Sequence, residues 1–162
     1  MNIHLLSDLH LSVHPFDPPQ TDADLVVIAG DLGRPEQAMA WARQLGKTTV
    51  FVAGNHKFYG SDLTTTFERL HAAAQGSLVQ ILERQTWAHQ GVRFLGCTLW
   101  SDHRLFEGEA RAQARQRAQS MIADFPRIAK TPGGATLTPD DAQAEFDHAV
   151  AWLDTQFALS LS

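Results

Sequence analysis

Three short apolar runs that each end in metal-binding types of side chain constrain this chain more than any other feature. "NIHLL" leads into "SDLH" at 7–10, "LVVIA" into "GD" at 30–31, and "TTVFVA" into "GNH" at 54–56. The runs are rich in Val, Ile and Leu and are bounded by turn residues, which predicts strands near 2–6, 24–29 and 48–52. The first two are apolar on both faces, which is typical of central strands that are covered on both sides.

The segment between the second and third strands has the signals of a helix. Pro35 and Glu36 suit a first helical turn, because proline lacks the N–H that would be unpaired there and an acid complements the helix dipole. The pattern ends before Gly46. A strand–helix–strand unit of this kind favours parallel pairing, so the sequence predicts an α/β fold with a βαβ amino-terminal half.

The rest of the chain predicts a β-meander followed by helices. A helical pattern spans 61–76, and the strand-like runs "LVQIL", "TWAH" and "VRFLGCTLW" follow, the last two joined by a tight turn at 90–91. A helix from 107 to about 124 has only a thin apolar stripe. Thr138, Pro139 and Asp141 then form an N-terminal capping pattern. The last helix has one predicted core-facing side, made of Ala142, Phe146, Ala149, Val150, Leu153 and Phe157.

Length and composition predict one domain over 1–162, since 162 residues with 44% hydrophobic content suffice for one core. The single cysteine, Cys97, excludes an internal disulfide, and the amino terminus lacks the features of a secretory signal, which predicts a cytoplasmic protein. The longest apolar runs are too short to span a membrane. The net charge of −5 disfavours tracking along a nucleic-acid backbone, although a local basic patch stays possible. The oligomeric state is left open.

The polar residues at the three strand ends are expected to converge, because the carboxyl ends of parallel strands lie along one edge of the sheet. They are Asp8, His10, Asp31, Asn55 and His56. Carboxylate and amide oxygens together with imidazole suit a divalent ion such as Mn, Fe, Zn or Ni. A carboxylate has two oxygens, so Asp31 is able to bridge two ions.

Each of these residues also has a simpler interpretation. Asp8, Asp31 and Asn55 are common turn and cap residues, and a lone His10 or His56 is more often a hydrogen-bonded surface histidine than a ligand. The three fragments taken together, each directly behind an apolar strand and in this order, favour the metal site.

The ordered fragments resemble the calcineurin-like metallophosphoesterases, whose signature is D-x-H, then G-D, then G-N-H. It is found here as "DLH" at 8–10, "GD" at 30–31 and "GNH" at 54–56, and further segments such as "GNHKFYG" and "FLGCTLWSD" are similar to a bacterial branch of uncharacterised phosphoesterases. The resemblance implies a layered α/β sandwich in which Asp8 and His10 bind a first metal, Asp31 bridges and Asn55 binds a second. It makes His56 the proton donor or transition-state stabiliser.

By the same resemblance, the function is hydrolysis of phosphate mono- or diesters by a metal-activated water, and manganese is the expected ion. Because the second site has only the shared Asp31 and Asn55, we expect one tightly bound ion, with a second only at high metal concentration or with phosphate bound. Family members continue with a strand ending in histidine and a G-H-x-H segment, and neither follows in this sequence, so the chain corresponds to the amino-terminal portion of the family domain. Lys57 also stands where an acid often follows "GNH". The alternative is a truncated or degenerate relative that binds a partner or a phosphate ligand without turnover.

Two further expectations concern residues around the site. His103, after "FLGCTLW", and His148 are the candidates to replace the missing ligands, although a solvated loop position and a helix flank explain them more simply. The loop "VHPFDPPQTD" is expected to form part of the pocket rim, unless its prolines serve only as a rigid connection.

Overall fold

The computed structural model describes residues 1–159 and shows a mixed α/β fold, as the sequence predicts. The chain divides into two compact units. Unit 1 comprises Met1–Lys57 and Thr65–Thr98, and unit 2 comprises Phe58–Thr64 and the described residues from Leu99 onward. The expectation of a single domain over 1–162 stays a prediction.

The described elements follow one another along the chain. In order they are β1 (Ile3–Leu6), β2 (Leu25–Ala29), α1 (Pro35–Gln44), β3 (Thr49–Val52), a 3-10 helix (Asn55–Phe58), β4 (Ser61–Asp62), α2 (Leu63–Ala74), β5 (Val79–Ile81), β6 (Gln85–His89), β7 (Val92–Gly96), α3 (Gly108–Met121), α4 (Asp124–Arg127), β8 (Ile128–Ala129) and α5 (Pro139–Ala158). None of these helices is long and apolar enough to cross a membrane.

Unit 1 is built on a four-stranded parallel sheet with the strand order β1-β2-β3-β5. Leu6 pairs with Ile28, and Ile28 pairs with Phe51, so the first three strands are in register near their carboxyl ends. Ile28 and Phe51 are fully buried. The register therefore places the segments that follow β1, β2 and β3 along one edge of the sheet, as predicted.

Strand β1 differs from the prediction of a central strand that is covered on both sides. It lies at the end of the strand order, and no other strand within residues 1–159 pairs with its outer edge. Ile3 and Leu5 are exposed, although their apolar side chains suit a buried strand. The prediction for the second strand is confirmed, because β2 has neighbours on both sides and Leu25, Val26 and Ile28 are buried.

The predicted β-meander is wrong in part. The run "LVQIL" contains β5, which joins the parallel sheet beside β3 rather than pairing with the next strand. β6 and β7 form the predicted antiparallel hairpin with its turn at 90–91, and the strand ends at Gly96, before "CTLW". Trp87 and Phe94 pair across the hairpin and pack on buried Leu25, Val50 and Leu82. The aromatic cross-strand pair thus packs the hairpin onto the core of the parallel sheet.

Polar contacts fix α1 to α2 within unit 1. The Arg69 guanidinium donates two hydrogen bonds of 2.7 Å to the Glu36 carboxylate, a bidentate geometry that orients both side chains. Arg43 donates to the carbonyl oxygens of Ala73 and Gln75 at the end of α2, at 2.8 and 2.6 Å through its Nη2. These contacts hold α1, which begins shortly after β2, in a defined position against α2.

Unit 2 contains the short β4–β8 pair and the helices α3, α4 and α5. Helix α3 has no buried residue, which agrees with its predicted thin stripe, and Thr138 and Asp141 form the predicted capping box of α5. The predicted core-facing side of α5 is wrong at Phe157, which is exposed, whereas Ala142 and Ala149 are buried. The described helix stops at Ala158, so Phe157 lies in its last turn, where few neighbours cover a side chain.

Candidate metal centre

The loops after β1 and β2 place three of the predicted ligands in unusual backbone conformations. Asp8, His10 and Asp31 have φ angles of 56°, 46° and 26°, in the left-handed region that side chains other than glycine seldom adopt. Gly30, directly before Asp31, has a φ of 94°. Strained backbone of this kind persists where the surroundings enforce it and is concentrated at functional sites.

His10, Asp31 and His56 come together at this edge of the sheet. Each offers a ligand atom, and these atoms all lie within 4.8 Å of one another, the one such group of three or more His, Cys, Asp or Glu residues within 1–159. The rings of His10 and His56 meet edge to face with centroids 4.8 Å apart. One ion between the three residues therefore needs only small side-chain movements to be coordinated.

Backbone hydrogen bonds hold the three loops together. The His10 N–H donates to the carbonyl oxygen of Asp31 at 2.8 Å, and the His56 N–H donates to Asp31 Oδ1 at 3.2 Å. Asp31 thus contacts both histidine-bearing loops, one through its backbone and one through its side chain. Asp31 as a whole residue is 8% exposed, so little of it meets solvent.

The surroundings of Gly54 explain why a glycine precedes "NH" in the third fragment. A Cβ at this position would lie 2.3 Å from Asp31 Oδ1 and 2.8 Å from the Asp31 backbone nitrogen. Any side chain would therefore displace Asp31 or the loop. The glycine allows the third loop to pass directly against the carboxylate.

The other two predicted ligands are less closely integrated. Asp8 Oδ1 lies 3.8 Å from His10 Nε2, but the Asp8 side chain is exposed and its Oδ2 accepts a hydrogen bond from the Ser7 hydroxyl, which also donates to the Ala29 carbonyl at 2.8 Å. Asn55 begins the 3-10 helix and directly precedes His56. The structure groups His10, Asp31 and His56, with Asp8 beside His10.

The donor set fits a divalent ion of the first transition series. Imidazole and carboxylate groups suit Mn, Fe, Zn and Ni, and a set formed by His10 and Asp31, with Asp8 beside His10, would leave coordination positions open, as catalytic sites require. The Gly54 contact supports this fit, since it keeps the space beside Asp31 free of a side chain. His56, which the resemblance assigns to proton transfer, lies within reach of the same ion.

Lys57 places a buried amine next to this group. Its side chain is 1% exposed, and its Nζ has no hydrogen-bond partner among the described residues, lying 5.5 Å from the centroid of the Phe51 ring. Burial lowers the pKa of Lys57 to about 7, and the charge of Asp31 opposes that shift. The residue after "GNH" is thus a buried amine, an environment that the sequence pattern alone does not indicate.

His103 and His148, the suggested replacements for missing ligands, both lie in unit 2. The His103 ring packs 5.9 Å from the Phe125 ring, and burial together with Arg115 lowers its pKa against the opposing charge of Asp102. His148 Nδ1 lies 3.7 Å from Glu145 on the same helix. His148 matches the simpler interpretation of a helix-flank histidine. His103 lies in a loop, as that interpretation expects, but it is half-buried against Phe125 and not solvated.

Sequence reasoning missed the role of Gly54 and the burial of Lys57. The "GNH" fragment carries a signal for the role of Gly54, because a glycine before metal-binding residues often marks a close approach of the backbone.

Neither a scan against protein-family models nor a search of curated proteins returned a match to this chain.

Proposed function

We propose that this protein is a metal-dependent hydrolase of phosphate mono- or diesters. The observation that supports the proposal most directly is the group formed by His10, Asp31 and His56 at the carboxyl ends of parallel strands. This edge is where open α/β sheets bind their ligands. The family resemblance of the three fragments is the second support, and manganese is the ion we expect.

Within this proposal, Asp31 and His10 hold the ion, with Asp8 as an additional ligand from the same loop as His10. Asp31 suits this role because it is buried and held by the His56 N–H. A bound divalent ion supplies a Lewis acid that activates water and neutralises phosphate charge. Asn55 is the proposed ligand of a second, weaker ion.

His56 is the proposed general acid. Its side chain is exposed, so it is able to reach a substrate, whereas its backbone is fixed by the bond to Asp31. In the protonated form, the imidazole donates its proton to the leaving oxygen of the ester as the bond to phosphorus breaks. The contact with the His10 ring limits the orientations of this imidazole.

The experiment that tests the proposal is Asp31→Asn, with Asp154→Asn on α5 as the matched control. We expect Asp31→Asn to lower kcat/KM on bis(4-nitrophenyl) phosphate or 4-nitrophenyl phosphate with Mn²⁺ by at least ~100-fold, as expected for loss of a group acting in the transition state. The circular dichroism spectrum should not change. Unchanged turnover in Asp31→Asn would refute the assignment to this site.

Two companion variants separate the roles of His10 and His56. His56→Ala should lower kcat while retaining most of the bound Mn²⁺, and His10→Ala should lower metal content. Equal loss of metal in both variants would instead make His56 a ligand. Retention of metal without any turnover in the unmodified protein would favour the alternative of a non-catalytic phosphate-binding relative.

A further inference from the structure

A cavity of about 300 Å³ in unit 1 lies between the loop that follows β1 and one face of α1. Leu11, Pro15, Phe16 and Asp17 line it from the loop, and α1 contributes Gln37 and Trp41 among others. The size and the mainly apolar and aromatic lining are typical of a site for a small organic group. None of these residues belongs to the candidate metal centre.

The cavity begins one residue away from the metal centre. Leu11 follows His10, and its N–H donates to the Leu32 carbonyl at 2.7 Å, parallel to the bond between His10 and Asp31. The Gln37 amide donates to the Leu11 carbonyl and accepts from the Ser12 hydroxyl, both at 3.3 Å. Gln37 therefore fixes the start of this loop against α1, and the cavity and the metal ligands share the same anchored segment.

Two aromatic rings give the cavity a defined wall. Phe16 and Trp41 stack with their ring centroids 6.3 Å apart and their planes inclined by 29°, and the Trp41 indole N–H donates to the Phe16 carbonyl at 2.5 Å. Trp41 is 6% exposed and Phe16 is 47% exposed. Trp41 thus supports the pair from within, and Phe16 is the ring that a ligand is able to reach.

The charge of the lining indicates which part of a substrate enters. Among the described residues that line the cavity, Asp17 alone carries a formal charge, and lysine and arginine are absent. A phosphate group is therefore disfavoured here, whereas an uncharged ring gains both apolar burial and an aromatic contact.

We propose that this cavity binds a flat aromatic group of a phosphate ester while the phosphate occupies the metal centre. The inference rests on the proposed function and names its substrate class. Phe16 provides the stacking surface, and Trp41 and Gln37 position the loop that carries Phe16. The aromatic group is either an aryl group attached directly to the phosphate or a nucleobase, and both present the same flat surface.

The test uses phosphonates, which are not hydrolysed and share one head group. Binding to the Mn²⁺-loaded full chain is measured by titration calorimetry for phenylphosphonate, cyclohexylphosphonate and methylphosphonate. We expect phenylphosphonate to bind at least ~10-fold more tightly than the other two. Phe16→Ala should abolish that preference without changing the affinity for methylphosphonate. Phe106→Ala is the matched control, since Phe106 is 50% exposed and does not line the cavity.

The outcomes separate this inference from the proposed function. Equal binding of all three phosphonates, together with no advantage of a nucleoside monophosphate over ribose 5-phosphate, overturns the aromatic site. A phenyl preference that survives in Phe16→Ala also overturns it, and both results leave the hydrolase proposal intact. A cyclohexyl group that binds as well as phenyl overturns the requirement for a flat ring. If neither the phosphonates nor the nucleoside monophosphates bind, the aromatic site is overturned, and turnover of 4-nitrophenyl phosphate then decides the hydrolase proposal separately.

A further comparison identifies the aromatic group. Tighter binding of adenosine or uridine monophosphate than of ribose 5-phosphate, lost in Phe16→Ala, assigns it to a nucleobase. The absence of that difference, with the phenyl preference retained, assigns it to a directly attached aryl group.

Discussion

At the residue scale, the left-handed backbone conformations of Asp8, His10 and Asp31 are expected to lower the stability of the fold, although these residues form or adjoin the candidate metal centre. Asparagine, aspartate and histidine enter this region more often than other side chains do, and glycine enters it without strain. Replacing His10 by glycine or by alanine therefore measures the conformational cost of a side chain at this position.

We expect His10→Gly to be more stable than His10→Ala by about 0.5–1 kcal/mol, because glycine adopts a φ of 46° without strain, an advantage partly offset by its greater entropy when unfolded. Both variants lose the side chain, so their difference reports the backbone alone. Urea denaturation measures it. The same pair at His4, within β1, should give the opposite sign, since glycine weakens a strand. Equal signs at the two positions would contradict the strain.

Lys57 makes the stability of the metal-free protein depend on pH. Its pKa is about 7 when folded and 10.5 in its ordinary state, so between these values the unfolded chain binds more protons than the folded chain. The contribution of Lys57 to stability should therefore be constant below pH 7 and rise by roughly 2–3 kcal/mol from about pH 7 to pH 9. Above that range the Cys97 thiol opposes the gain, because burial raises its pKa and its contribution is lost as pH increases.

Denaturation in urea across this pH range measures the effect. Lys57→Met should remove the rise, whereas Lys47→Met should preserve it. A rise that persists in Lys57→Met would assign it to another group.

At the element scale, the sequence predicts best those features that depend on local interactions. Pro35 at the start of α1 and the Thr138 capping box of α5 were predicted correctly because their signals lie within a single turn. The coverage of β1 was predicted wrongly, because the apolar pattern of Ile3 and Leu5 does not specify which strand lies alongside. The partner of β5 was missed for the same reason.

The capping box of α5 allows a quantitative test. Asp141 Oδ2 accepts from the Thr138 N–H at 2.8 Å, and Thr138 Oγ1 accepts from the Asp141 N–H at 3.3 Å. Thr138→Ala should lower the free energy of unfolding by about 1 kcal/mol. Thr155→Ala, at an exposed position of the same helix, should change it by less than about 0.5 kcal/mol. Similar effects of the two substitutions would show that the cap does not contribute.

At the scale of the whole molecule, a metal centre is expected to couple ion binding to global stability. We expect at most one dialysis-resistant divalent ion per chain. His10, Asp31 and Asp8 provide the ligands for one ion, whereas a second ion depends on Asn55 and the shared Asp31. Mn²⁺ at 100 times its Kd should stabilise the fold by about 2.7 kcal/mol. Plasma mass spectrometry and thermal denaturation with and without Mn²⁺ measure both effects. Two tightly held ions would contradict the expected number.

The sequence indicated which loops meet at the centre but not how closely they approach. The strand register that brings His10, Asp31 and His56 to one edge follows from parallel pairing, which the βαβ pattern predicts. The contact between Gly54 and Asp31 and the burial of Lys57 depend on three-dimensional packing of loops, for which the sequence has no periodic signal.

The division of the chain into two units also bears on the order in which the protein folds during synthesis. All residues of unit 1 have left the ribosomal active site once Thr98 has been added, whereas unit 2 joins Phe58–Thr64 to residues from Leu99 onward. Its β4–β8 pair brings Ser61 beside Ile128, so it forms only after that later segment has been translated. Since domains tend to fold as they emerge, the unit that contains the candidate metal centre is able to form on the nascent chain before its companion is complete.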